Sequence, residues 1–424
     1  MASSLILAAL ADDFTGAVEL AAMLRSGGAR TRLVAGPAAI PANIGDDQAL
    51  VVALRSRVAP SGEAVAAAEE AVERLRPHQP RMLFLKYCAS FDSLDTGNIG
   101  NVAEVLHRQG APAPVLFCPS FPEAGRTVFR SHLFVHDQLL AESPKRLDPL
   151  TPMTQSDLRR ILAPQTSLGV GALPYERVLE GPDAIRRHAL AEQAAGRPFV
   201  IADAITEADL RSLAAAACEW PVLTGGSSIA AWLPQAWVAQ GWMQADRPPS
   251  LPPIHGPAAV LAGSCADRTR EQVAEFARKH PVLQLDPLAP EAESLAHALA
   301  WAAPRLEQGP ICITTSADPE RVAAAQAALG AISAGRRAEA LLAALAEALV
   351  RQGVRRLLVA GGETSGAVVG ALGIRDLQVA PYREIGVGIC HAAGAVPLAL
   401  CLKSGKLGAV DMFQRTLEEM ETSL

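Results

Sequence analysis

Short apolar runs that end in glycine, serine or charged residues alternate along almost the whole chain with alanine-rich stretches of helical period. Few folds accept that texture. Runs of five or six apolar residues flanked by helices describe strands buried on both faces, the arrangement of a mostly parallel sheet covered by helices. In the first half the strand candidates are 5–11, 31–35, 49–54, 82–86, 114–118, 198–202 and 221–223, with helical patterns such as 61–76 and 206–217 between them. The stretch ADRPPSLPPIHGP, 245–257, breaks the alternation, because its proline density suits neither a ladder nor a helix. Strand candidates resume at 258–262, 282–285, 310–315, 355–360, 377–379 and 396–402, with long helices at 289–308 and 336–352. The expected architecture is therefore α/β with two domains, each a mostly parallel sheet flanked by helices: residues 1–245, a proline-rich linker at 246–257, and residues 258–424.

Composition agrees with that packing. Half of the 424 residues are hydrophobic but only 4% are aromatic, so alanine, valine and leucine must fill the interior. A formal charge of −6 and the absence of an arginine-rich run give no footprint for nucleic acid. The seven cysteines are scattered, odd in number and without a C-x-x-C pair, which suits reduced thiols. Leu5–Ala11 lacks a basic flank and runs into Asp12 and Asp13, and 393–402 is too short to span a bilayer and contains Pro397. The chain is expected to be cytoplasmic, with no membrane or nucleic-acid partner.

In open parallel sheets ligands bind outside the carboxyl ends of the strands. Polar and glycine residues recur at those ends. The run LLVAGGETSGAVV, 357–369, closes a strand with Gly361 and Gly362, followed by Glu363, and starts a small-residue helix that Thr364 and Ser365 could cap. Backbone N–H groups exposed in this way suit phosphate, although neither the Walker loop nor a dinucleotide fingerprint occurs. Gly263-Ser264, Thr314-Thr315-Ser316 and Lys403-Ser404-Gly405 end neighbouring strands, so a nucleotide site is expected there. The first half ends its strands in Asp12-Asp13 with Thr15-Gly16, Arg55-Ser56-Arg57, Lys86, Pro119-Ser120, Asp203 and Gly225-Gly226-Ser227-Ser228. Carboxylates beside cations suit a small polyhydroxylated acid, with arginine forks on its carboxylate and an aspartate at its hydroxyl. The alternative for each residue alone is a helix cap or a surface charge. His132 and His136 lie in an extended-looking segment that offers no third metal ligand, and Trp232, Trp237 and Trp242 read as packing.

These positions coincide with longer strings: ADDFTGA (11–17), FLKYCASFDS (84–93) with GNIG (97–100), CPSFPEAGRTVF (118–129), HLFV (132–135), PLTPMT (149–154), TGGS (224–227), AGGETSGAVV (360–369) and LKSG (402–405). With them the chain resembles the four-carbon acid sugar kinase family along nearly its whole length, most closely the branch that acts on 3-oxo-tetronates. The resemblance implies an acid-sugar-binding domain, then a nucleotide-binding domain, with the active site in the cleft between them. It implies transfer of the γ-phosphate of ATP to the C4 hydroxyl of the acid, D-threonate or D-erythronate being the alternative substrates and a catalytically silent sensor the alternative role. ATP contacts are implied at Ser264, Gly361, Gly362, Glu363, Thr364 and Gly405. The substrate site is implied around Arg55, Arg57 and Lys86, with Asp13 or Asp12 acting on the hydroxyl and Mg²⁺ held mainly through the phosphates. A homo-oligomer is compatible with all of this. Two departures from the family pattern are Lys406, where an asparagine is common, and the segment 386–396.

Overall fold

The computed structural model describes residues 5–424 apart from 149, 246–248, 287, 317–319, 321, 323, 325, 326, 328, 393 and 395. Strand ends, not strand centres, carry the polarity. Thus β1 (Leu7–Ala11) is buried along its whole length, and the first carboxylate stands one residue beyond it. The chain forms two compact units, one up to residue 248 and one from residue 249.

In the first unit β1 is followed by β2 (Thr31–Val34), β3 (Ala49–Ala53), β4 (Met82–Lys86) and β5 (Val115–Cys118). Next come β6 (Arg126–Phe129), β7 (His132–Val135) and β8 (Gln138–Leu139), then β9 (Val170–Leu173), β10 (Phe199–Ala202) and β11 (Val222–Gly225). The main sheet runs β2-β3-β1-β4-β11-β5-β10-β9 and all its pairs are parallel. Connections from β1 run toward β2 and β3, whereas later strands extend the sheet from β4 on the other side of β1. The order therefore reverses at the β1/β4 boundary, where loops leave in opposite directions and open a crevice. Register brings Ala11 opposite both Ala53 and Lys86, so the residues after β1 and β3 and at the end of β4 share one rim.

Of the small antiparallel sheet β6-β7-β8, only β7 matches an expectation, the extended-looking segment around His132; β6 and β8 have none. Its tight turn holds Arg130 and Ser131 at φ 49° and 62°, a left-handed conformation that costs a non-glycine residue energy. Asp203, just past β10, stabilises that turn: its carboxylate accepts the N–H groups of Arg130 (2.7 Å), Ser131 (2.8 Å) and Tyr175 (3.1 Å). Burial pushes its carboxyl above the ordinary value although these donors pull it down. His132 therefore lies on a strand, and among the described residues no cluster of three or more histidines, cysteines or carboxylates is placed to hold a metal. Trp237 is fully buried, while Trp232 donates Nε1 to Glu207 and lies under Arg211.

The second unit contains β12 (Ala258–Ala262), β13 (Val282–Gln284), β14 (Ile311–Thr314), β15 (Arg356–Ala360), β16 (Asp376–Val379), β17 (Val387–Ala392) and β18 (Leu398–Lys403). Their order is β13-β14-β12-β15-β18-β17-β16, parallel through β18 and antiparallel from β17 on. The same reversal occurs at β12/β15. The unusual segment 386–396 mostly forms β17, an antiparallel strand beside β18, with 393 and 395 outside the described residues. The proline-rich stretch also differs from a free linker over its described part. Leu251 and Ile254 are buried, Leu251 exchanges two hydrogen bonds with Leu424, and Ile254 N–H donates to Met420. Residues 246–248 of that expected linker lie outside the described set. Among the described residues no helix is long and apolar enough to cross a membrane.

Replacing Asp203 with alanine orphans three backbone donors, two of them in left-handed residues. At roughly 1–3 kcal/mol for a buried unsatisfied group, Asp203→Ala is expected to lower unfolding stability by at least about 2 kcal/mol. Urea denaturation checks this.

Candidate active site

Each unit concentrates its polar groups at its own strand-order reversal. In the first unit Asp12 and Asp13 follow β1. Asp13 caps the helix Phe14–Ser26: its Oδ1 accepts the Gly16 N–H at 2.7 Å and its Oδ2 the Thr15 hydroxyl at 2.8 Å. Arg57, four residues beyond β3, reaches both acids. Nε and Nη2 donate to Asp12 Oδ2 and Oδ1, each at 2.8 Å, and Nη1 lies 2.9 Å from Asp13 Oδ2. The loop that carries Arg57 is fixed from behind. Ser56 and Arg57 N–H groups donate to the Asp12 carbonyl, and Asn98 of the GNIG string donates Nδ2 to the carbonyls of Ser56 (2.7 Å) and Ala59 (3.1 Å).

Lys86 at the end of β4 is buried and donates Nζ to the Tyr87 carbonyl at 2.9 Å. A Cβ on Gly16 would stand 2.8 Å from Lys86 Nζ and 2.6 Å from Asp13 Oδ1, so only glycine fits between them. Burial pushes Asp13 up, but Arg57, Lys86 and the two hydrogen bonds outweigh it and hold the carboxyl below its ordinary value. Burial likewise opposes charge on Arg57, and Asp12 with Asp13 more than compensate, keeping it protonated.

The charged cluster extends where sequence reading did not follow it. Lys145 Nζ bridges Asp92 Oδ2 (2.8 Å) and Asp148 Oδ2 (2.9 Å), and Cys88 Sγ lies 3.1 Å from Ser90 Oγ. Asp92 Oδ1 is buried without a hydrogen-bond partner among the described residues. Burial, then Asp92, push the Cys88 thiol up. Arg55 is exposed, so of the three predicted substrate cations it alone has an open side chain. The fork of Arg57 is occupied by the protein's own acids. Ser120, Ser227 and Ser228 bond to Ala204, Glu19 and Glu207, which makes them structural.

In the second unit Gly361 occupies φ 140°, open to glycine alone, and caps the helix Gly362–Ala371 without any side-chain hydrogen bond. The expected cap by Thr364 and Ser365 is not what forms. Ser365 donates back to the Gly361 carbonyl at 2.7 Å, and Thr364 Oγ1 packs against Gly263 and Gly361. The first-turn N–H groups are therefore not consumed by side chains, which suits an anion. Three chain segments meet here with no room between them. Built Cβ atoms on Gly263, Gly361 and Gly405 would come within 2.3 Å of Thr364 Oγ1, 2.8 Å of the same oxygen and 2.1 Å of Ser264 Oγ respectively. Gly361 N–H donates to the Lys403 carbonyl, and Ser264 N–H to that of Ala360. Thr314 and Ser316 spend their hydroxyls on the carbonyls of Ala262 and Ser264, while Thr315 Oγ1 is buried with no partner among the described residues. Glu363 and Lys406 are exposed. The structure thus gathers Ser264, Gly361, Gly362, Thr364 and Gly405 into one cradle of peptide groups, with Glu363 at its edge.

Comparison with known proteins divides the chain in the same way. Residues 7–233 match the sugar-binding N-terminal domain family and residues 259–413 the nucleotide-binding C-terminal domain family. A Pseudomonas fluorescens protein named 3-oxo-tetronate kinase is 44% identical over 98% of this chain and 97% of its own. Its Burkholderia multivorans namesake is 44% identical over 99% and 98%. Among solved structures, a Salmonella typhimurium LT2 protein bearing a tRNA synthase label superposes with a TM-score of 0.85 at 33% identity, covering 97% of this chain and 99% of that one. Haemophilus influenzae HI1011 superposes with 0.76 at 30% identity, covering 97% and 100%.

Two outcomes are expected. Asp13 has a depressed folded-state value, so its contribution to stability is complete above the unfolded carboxylate value near 3.8 and is lost as pH falls through the folded one. Arg57→Met should shrink that acid-side loss and destabilise the protein by about 3–5 kcal/mol at neutral pH, as removing one partner of a buried pair does; denaturation between pH 2 and 7 reads both. Gly361→Ala should weaken nucleotide binding at least about tenfold through strain in a left-handed residue, on the order of 1–3 kcal/mol, with the circular dichroism spectrum unchanged.

Proposed function

The chain belongs to the four-carbon acid sugar kinase family, and from that premise we propose that it transfers the γ-phosphate of ATP to the C4 hydroxyl of 3-oxo-tetronate. The observation that carries the reading is the end-to-end similarity to proteins of that name, combined with a glycine cradle and a charged cluster at the two strand-order reversals. Phosphoryl transfer asks a protein for alignment and charge neutralisation more than for covalent chemistry. The peptide N–H groups of Gly361–Thr364, with Ser264 and Gly405, would hold the phosphates. A Mg²⁺ would be carried by phosphate and water, with one protein carboxylate, Glu363, exposed at the cradle. When bound, the ion would neutralise charge on the phosphate oxygens.

In the first unit Asp13 stays ionised and is fixed by Thr15, Gly16 and Arg57. Its depressed proton affinity makes it an orienting group first: it would accept the hydrogen bond of the C4 hydroxyl and take the proton as the oxygen–phosphorus bond forms and the bond to ADP breaks. Asp12, locked by the Arg57 fork, would set the position of that fork and contribute charge. Lys86 and exposed Arg55 would receive the keto oxygen and the carboxylate of the acid, and Arg57 would act through the two aspartates. A keto group only accepts hydrogen bonds whereas a hydroxyl also donates, so cations here favour the oxo acid over D-threonate and D-erythronate.

ADP release, coupled to a spectroscopic readout, should show turnover on 3-oxo-tetronate well above that on D-threonate or D-erythronate. Preference for a hydroxy acid would keep the kinase and overturn the substrate, and binding without turnover would leave a sensor. Asp13→Asn should lower kcat by about 10²–10⁴-fold with little change in the KM for ATP. Full turnover in that variant would remove Asp13 from the chemistry.

A further inference from the structure

Lys403 closes β18 with its side chain fully buried. Its Nζ donates to Thr269 Oγ1 at 3.1 Å and to the Gly405 carbonyl at 3.3 Å, and Thr269 donates its own hydroxyl to that same carbonyl at 2.7 Å. Among the described residues no carboxylate lies within ion-pairing distance of Nζ. That sets it apart from Arg57, which has Asp12 and Asp13, and from Lys145, which has Asp92 and Asp148.

The surroundings do not make up the difference. Strand neighbours Ala360 of β15 and Val387 of β17 are apolar. Cys401 on its own strand remains a neutral thiol, pushed up to about 12 by burial. Glu384, in the turn before β17, is spent on Arg415 and the Ala409 N–H. Arg268, on the helix Asp267–Ala277, is a like charge. A buried ammonium without a counter-charge is costly, and it either sheds its proton or awaits an anion.

The main chain ties Lys403 to the glycine cradle. The Lys403 carbonyl accepts the Gly361 N–H at 2.9 Å, while its side chain fixes the Gly405 carbonyl, so this one residue ties together both loops of the glycine cradle. We propose that Lys403 is a positioning residue of the nucleotide site, whose buried ammonium fixes the Gly405 turn and is the positive charge that the phosphate chain of the nucleotide offsets. The inference rests on the reading that the phosphates occupy these loops. Burial lowers Lys403 to about 7, with Arg268 adding to the fall and Cys401 and Glu384 opposing it. Much of the free protein is then uncharged there just above neutrality. A bound polyphosphate favours the ammonium, so nucleotide binding takes up a proton, and affinity declines as pH rises above about 7.

The test is calorimetric titration of the full chain with MgADP at pH 8, above the range where the second phosphate ionisation near 6 intervenes, in two buffers of different ionisation enthalpy. The wild type should take up close to one proton per nucleotide, with affinity falling up to tenfold per pH unit above 7. Lys403→Gln, which can still donate to the Gly405 carbonyl, should take up none and bind with a pH-independent affinity about 10–100-fold weaker at pH 7, a loss in the range of a charge-assisted hydrogen bond. The wild-type titration needs no variant and stands even if Lys403→Gln fails to fold. Binding by the wild type without proton uptake, or uptake retained by Lys403→Gln, overturns the role of Lys403 and leaves the nucleotide reading intact. No binding of MgADP overturns both.

Discussion

Burial of both faces of a parallel sheet leaves the strand ends as the place for chemistry. Every residue of β1, β3, β4, β12, β15 and β18 is buried. A charge at the centre of such a strand would have neither water nor partner, so the polar side chains collect where the backbone emerges. The right-handed connections of a parallel sheet then decide which ends adjoin. In each unit the reversal of strand order places a loop after the first strand beside loops that leave the other way. The aspartate pair and the glycine cradle occupy equivalent stations in the two units.

The two stations solve the problem of charge differently. In the first unit, acids and bases neutralise one another before any ligand arrives, through the Arg57 fork and the Lys145 bridge. Such a network is rigid, because each charge is held by geometry the others provide. In the second unit the strand ends present peptide groups and a helix end, with Glu363 and Lys406 exposed at the margin and Lys403 buried beneath. Small fixed dipoles of this kind suit a ligand that brings its own large charge.

Much of this could be read from the chain because periodicity and strand termini are local properties. Asp12, Asp13, Gly361 and Gly405 each directly follow, or nearly follow, an apolar run, and the runs fall within a few residues of the observed strands. What escaped reading depends on distance. Nothing local marks Asp92 as the partner of Lys145, 53 residues on, and Arg57 looks as available as Arg55 until the loop is folded. Of the β6-β7-β8 sheet only the extended segment around β7 was legible, because its strands are two to four residues long and its turn relies on ordinary side chains in left-handed conformations that Asp203 holds from 72 residues away. Lys403 has the sequence signature of a surface lysine at a strand end; only packing shows it enclosed.

The glycine cradle has a consequence for how this protein can be altered. Where Gly263, Gly361 and Gly405 meet Thr364 and Ser264, backbone is pressed against neighbouring atoms with no space for a methyl group. Substitution there can break recognition but has almost no intermediate setting. Graded adjustment is left to the tier behind it, to Thr269 under the Gly405 carbonyl and to Gln272, which binds the carbonyls of Leu407, Gly408 and Ala409. An engineer seeking altered cosubstrate preference would vary the scaffolding that sets the loops' pose, and would leave the loops themselves alone.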